Sequence, residues 1–167
     1  MGWMFTLGAS RRDVINELTT ETAECKTLRK CLKGNTMYAL VESARLNKKF
    51  IMVYLLQRSA DGWGYKDIDE GMGPVQNNCP VAYLDAADEP MNEYAKKWRE
   101  SVRALAARRA NCHPKIGETW ALASGKQVTL KSTKPLHGWI EGRLFRIKRD
   151  NLRCVVSVEP VAPGVFG

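Results

Sequence analysis

Residues 22–56 read TAECKTLRKCLKGNTMYALVESARLNKKFIMVYLL, and the point where their apolar period changes decides the fold. Cys25, Leu28 and Leu32 recur at helical spacing ahead of a Gly34-Asn35 stop, which predicts a helix over residues 22–33. Its exposed side would carry Lys26, Arg29, Lys30 and Lys33. Beyond Gly34 the pattern changes. Met37–Val41 and Phe50–Leu56 are aromatic and β-branched runs separated by the polar Arg45–Lys49, which predicts an antiparallel hairpin.

On the N-terminal side, Ser10 with Asp13 three residues later forms a capping-box-like start to a helix over residues 11–18, preceded by a short apolar strand at residues 2–7. On the other side, the block Asp61-Gly62-Trp63-Gly64-Tyr65-Lys66 could return a third strand. The expected fold class is α+β, with N-terminal helices on a small antiparallel sheet. From Gly71 to Asp88 the glycines and prolines indicate an ordered loop. Asp88-Glu89-Pro90 then announces a long helix running to Asn111, with Met91, Tyr94, Ala95, Trp98, Val102, Leu105 and Ala106 as its apolar stripe. Residues 115–160 read as five short strands with tight turns, which suggests a small SH3-like or OB-like β-barrel. The expected organisation is an α+β domain at 1–88, a basic amphipathic helix at 89–112, a barrel module at 113–161 and a flexible tail at 162–167.

Charge is distributed unevenly along this chain. Residues 1–89 hold 11 Lys and Arg against 12 Asp and Glu, whereas residues 90–167 hold 15 against 6, so the whole net charge of +8 lies in the second half. A near-neutral half joined to a basic one points to an anionic partner, nucleic acid first. No apolar run approaches the roughly 20 residues of a membrane span, and no secretory signal pattern is present. A cytoplasmic location is therefore expected. Five cysteines fit free thiols in a reducing compartment better than a disulfide framework.

The candidates for contacting nucleic acid or a partner are Lys126, Lys131, Lys134, Arg143, Arg146, Lys148, Arg149 and Arg153 in the β module, with Arg108 and Arg109 at the end of the preceding helix. Strand alternation would place Arg146 and Lys148 on one side and send Phe145 and Ile147 into the core. In the first half, Trp63, Tyr65, Asp67, Asp69 and Glu70 are candidates for a protein contact. A tight hairpin with core aromatics is the commoner role of such a block, and a stacking platform is the functional one. The acidic run Asp61, Asp67, Asp69, Glu70 lacks the spacing of a calcium loop, and the cysteines form no zinc pattern, so no metal and no cofactor are expected. His113 and His137 lie in no motif with a mechanism, and no catalytic residue is assigned.

Met1-Gly2-Trp3-Met4-Phe5-Thr6, Arg11-Arg12-Asp13, Gly34-Asn35, the block Gly62–Glu70, Gly73-Pro74, Cys79-Pro80 and Trp98-Arg99 resemble a family of small uncharacterised proteins carried by bacteriophages and other bacterial mobile elements. The resemblance spans residues 1–110 and implies a setting rather than an activity. Accessory proteins of mobile elements often act on host defence or on the element's own DNA. The expected function is therefore a phage or mobile-element accessory protein that binds nucleic acid, DNA or RNA, or a host nucleic-acid-handling complex. Its concrete form would be an anti-CRISPR or anti-restriction inhibitor. The alternatives are a small nucleotide-directed hydrolase or transferase, with Trp63, Tyr65, Asp67, Asp69 and His113 or His137 lining its pocket, and a structural or morphogenetic phage component.

Overall fold

The structure, a computed structural model, describes residues 2–158, so the tail expected at 162–167 lies outside the described residues. The chain divides into two compact units, residues 1–106 and 107–167. In chain order the first unit contains β1 (Met4–Phe5), α1 (Arg11–Leu18), β2 (Cys25–Lys33), β3 (Thr36–Ser43), β4 (Lys48–Arg58), β5 (Trp63–Asp69), α2 (Val81–Leu84) and most of α3 (Glu93–Asn111). The division falls inside α3.

The α+β layout expected from the sequence is overturned. The molecule is mostly β, built on two antiparallel five-stranded sheets, and no layer of N-terminal helices forms. Residues 25–33 are strand β2, not helix, paired with β3 from Cys25↔Ser43 to Lys33↔Thr36. The Gly34-Asn35 pair is the hairpin turn between them, with Gly34 at φ 62° as the first central residue of a two-residue loop. Leu28 is an extra residue in the ladder, since Thr27 faces Val41 and Arg29 faces Leu40. This bulge shifts the alternation by one, so Cys25 and Leu32 point to one face and Cys31 to the other. The sequence spacing it leaves imitates a helical period.

The sheet of the first unit runs β1-β5-β4-β3-β2. Tyr38, Leu40, Ile51 and Val53 face Leu84 of α2 and Trp98 and Val102 of α3. Met37, Ala39, Val41 and Tyr54 face the other way, where Ile15 and Leu18 of α1 pack. The two central strands are therefore covered on both sides, which explains why they read as nearly continuous apolar runs. The helix α1 is capped as its sequence indicates: the Ser10 hydroxyl accepts from the Asp13 amide and Asp13 accepts from the Ser10 amide.

Helix α3 begins later than Asp88-Glu89-Pro90 suggests. The Asn92 side chain accepts from the Ala95 amide at its start, while Asp88 instead pairs with the backbone of Lys49 at the head of β4. Tyr94 is exposed, and Arg99 takes a place on the buried side of the helix.

The second unit contains β6 (Glu118–Leu122), β7 (Gln127–Thr133), β8 (Leu136–Ile140), β9 (Arg143–Arg146) and β10 (Leu152–Val158), with a 3-10 turn at Arg149–Asn151. Its strands order as β10-β6-β7-β8-β9. Among the described residues, β9 and β10 each have one ladder partner and stand at the two ends of this order. Its core is Cys112, Trp120, Val128, Leu130, Leu136, Ile147 and Leu152. Among the described residues no helix is long and apolar enough to cross a membrane.

Candidate nucleic-acid interface

Residues 107–158 hold 11 Lys and Arg against 3 Asp and Glu, and all three carboxylates are engaged within the unit. Glu118 accepts from the Trp120 indole at 2.9 Å and from the Lys115 amide at 2.8 Å. Glu141 pairs with Lys126 at 2.9 Å. Asp150 takes a two-pronged contact from Arg109, whose Nε lies 2.6 Å from one carboxylate oxygen, and that contact holds the Asp150 carboxyl below its ordinary range.

The ten cations named from sequence divide accordingly. Arg109 and Lys126 are partners of carboxylates, and Arg153 donates to the Asp150 carbonyl at 2.8 Å. Arg108, Lys131, Lys134, Arg143, Arg146, Lys148 and Arg149 are exposed and form no ion pair among the described residues. With Lys115 and Arg153, which also form no ion pair there, these seven carry the positive field of the unit.

Sheet register fixes what stands between them. Ser157, Thr119, Thr129, Trp139 and Leu144 pair in succession across all five strands and so share one face. The next row on that face holds Ser132, His137 and Arg146. Lys131 is the extra residue of a bulge in β7, and its ammonium sits 5.3 Å from the centre of the Trp139 ring. Trp139 is 43% exposed, on the face that turns away from the core.

Phe145 corrects another expectation, because it is 46% exposed rather than buried, while Ile147 does enter the core. Phe145 lies opposite Gly138 at the sheet edge, where no further strand covers it. On that side Phe145, Ile140, Lys126, Glu141 and Arg143 line a concavity of about 470 Å³. The hairpin that joins β8 to β9 turns on Glu141 and Gly142, both at positive φ, and so presents an aromatic ring on each face.

The first-half candidates are brought together but are used for packing. Register places Trp63, Tyr65, Asp67 and Asp69 on the α1 side of β5. Tyr65 packs edge-on against Tyr54, and the Arg11 guanidinium of α1 lies 5.4 Å above the Trp63 ring. Asp69 accepts from the Met72 amide at 3.1 Å. Glu70 is no contact residue at all: it is fully buried, with both oxygens 2.6 Å from Arg99 nitrogens. Arg99 also donates to the Asp88 carbonyl at 2.7 Å, joining α3, the end of β5 and the loop that binds β4. Among the described residues no three His, Cys, Asp or Glu side chains gather to hold a metal ion.

Sequence reasoning missed the Glu70–Arg99 pair, since nothing in a helix with five other basic residues marks one as buried. It also missed Trp139. The available signal was Trp139 in a short strand directly before a turn and a strand reading Arg-Leu-Phe-Arg. His137 Nδ1 lies 3.2 Å from the Ser132 hydroxyl, but that hydroxyl has its own acceptor in the Pro135 carbonyl at 2.6 Å. The pair fixes the imidazole and leaves the serine proton committed, which is not the arrangement of an activated nucleophile. No protein-family model, curated protein or solved structure matches this chain.

Proposed function

We propose that the protein binds nucleic acid through its second unit, with the exposed cations of that unit set against the phosphate backbone. The observation that carries this reading is the uneven use of charge: among residues 107–158, 11 cations stand against 3 carboxylates, and each of these three is already satisfied inside the unit. Nine exposed cations then have no counter-charge of their own among the described residues, an arrangement that favours an anionic polymer and its steering from a distance.

The phage or mobile-element setting rests on the resemblance of residues 1–110, and within it the same charge suits an accessory protein acting on a host nucleic-acid-handling complex. An anti-CRISPR or anti-restriction inhibitor is the form this takes. A chain with this excess of cations does not imitate DNA, so such an inhibitor would share the nucleic acid with its target or compete for it.

The test is a fluorescence anisotropy titration of labelled DNA and RNA with the wild type and with the Arg143→Ala/Arg146→Ala/Lys148→Ala/Arg149→Ala variant. All four side chains are exposed, so their loss leaves the fold intact. Affinity should fall at least tenfold in the variant, since each neutralised phosphate contact contributes to binding. An undiminished affinity would reject this surface.

A further inference from the structure

We infer that the polymer bound by the second unit is single-stranded and that one of its bases stacks on Trp139. This rests on the nucleic-acid reading above and adds the class of nucleic acid and the residue that selects it.

Three observations converge on this face. Trp139 is a large ring left 43% exposed one strand in from the β9 edge, with Thr129 beside it on one strand and the likewise exposed Leu144 on the other. Thr119 and Thr129 satisfy one another, their hydroxyls 2.9 Å apart, so the row inward of the ring presents no competing polar demand. Lys131 stands 5.3 Å from the ring, and Arg146 lies on the same face one row along, opposite His137. An exposed indole with cations about one nucleotide away is the chemistry of a stacking platform: the ring takes the base and the cations take the flanking phosphates. A duplex offers phosphates but hides its bases, so it gains nothing from the ring.

The opposite face of the same hairpin is the weaker candidate. Phe145 is as exposed as Trp139, but its concavity includes the Glu141 carboxylate, and Lys126 there is already paired with it. The Trp139 face contains no carboxylate among the residues aligned by the ladder.

The experiment compares oligothymidylate, oligouridylate and a mixed-sequence DNA duplex, each about 20 units long and so longer than a single site. The full chain and its Trp139→Ala, Trp139→Phe and Phe145→Ala variants are titrated at fixed salt. Wild type should prefer the single strands, and Trp139→Ala should weaken single-strand binding by about tenfold to a hundredfold, the range for one stacked base. Duplex binding should change little. Trp139→Phe keeps a ring on the same scaffold, so it should restore most of the single-strand affinity while abolishing the part of the tryptophan fluorescence quenched by the oligonucleotide. Phe145→Ala should resemble the wild type. Equal losses on oligothymidylate and oligouridylate place the recognition in the shared pyrimidine ring, and a loss confined to one shows that the site also reads the thymine methyl or the 2′-hydroxyl. If single strands and duplex bind alike and Trp139→Ala changes neither, the stacking inference is overturned while the nucleic-acid reading stands. If nothing binds, both fall.

Discussion

Cys79 and Cys112 lie in the cores of the first and second units, only 5% and 6% exposed, and burial pushes both thiols up, Cys79 to about 12. Both therefore stay protonated and shielded at neutral pH. Alkylation at pH 8 should label the exposed Cys154 first and leave Cys79 and Cys112 unmodified until denaturant is added, as peptide mass mapping would reveal. The sign of the stability effect follows. Below the thiol value of the unfolded chain, about 8.5, both states keep the proton; above it only the unfolded state loses it, so stability should fall as pH rises. At Gly138 the constraint is space. A Cβ there would press on the Val128 side chain and lie 2.8 Å from the Thr129 carbonyl oxygen. Gly138→Ala should destabilise the second unit by about 1–3 kcal/mol, the usual range for overpacking, and an unchanged unfolding midpoint would show that the strands part at no cost.

Between elements, the Glu70–Arg99 pair joins the end of β5 to α3 and, through the Asp88 carbonyl, to the segment bound at the head of β4. Both partners are buried, so removal of either leaves a charge without its counterpart. Arg99→Met or Glu70→Leu alone should cost about 3–5 kcal/mol in denaturant unfolding, whereas the double change Glu70→Leu/Arg99→Met should recover most of that loss. Additive losses would mean that the pair is not coupled. The Arg109–Asp150 contact behaves differently because both side chains are roughly two-fifths exposed. Its contribution, under about 1 kcal/mol, is complete above the unfolded carboxyl value near 3.9 and disappears as pH falls through the lowered folded value. Asp150→Asn should therefore lower stability at pH 7 and converge with the wild type in acid.

The elements also show what the sequence makes legible. The capped helix α1, the hairpin of β3 and β4 and the five short strands of the second unit follow from local signals: a side chain that caps, a strand run, a turn glycine. Strand β2 does not, because its bulge at Leu28 removes strict alternation and its edge position leaves lysines outside, so that it mimics an amphipathic helix. Arg99 and Trp139 were hidden for a related reason. Whether a basic residue is buried, or an aromatic one exposed, depends on partners distant in sequence.

Across the whole molecule, charge and architecture divide along the same line. Residues 1–106 carry 15 Lys and Arg against 14 Asp and Glu, close to balance, around a sheet covered on both faces. The second unit is basic and leaves its β9 edge and its outer sheet face open. The proposed contact with nucleic acid therefore falls on the second unit. The same contrast explains why the aromatic block of β5, the most conspicuous motif in the sequence, turned out to be covered by α1, while the exposed ring belongs to a short strand near the C-terminus.

If exposed cations of the second unit meet phosphates, the affinity of the wild-type chain for a labelled oligonucleotide must fall as salt is raised. About five neutralised phosphates on a single strand would give a slope of log affinity against log salt near −3.5. Phosphate contact by these cations predicts a slope of that order, reduced by about 0.7 for each of Lys131, Arg143, Arg146 and Lys148 changed to alanine. Binding that is insensitive to salt, or a slope that none of these substitutions alters, would contradict it.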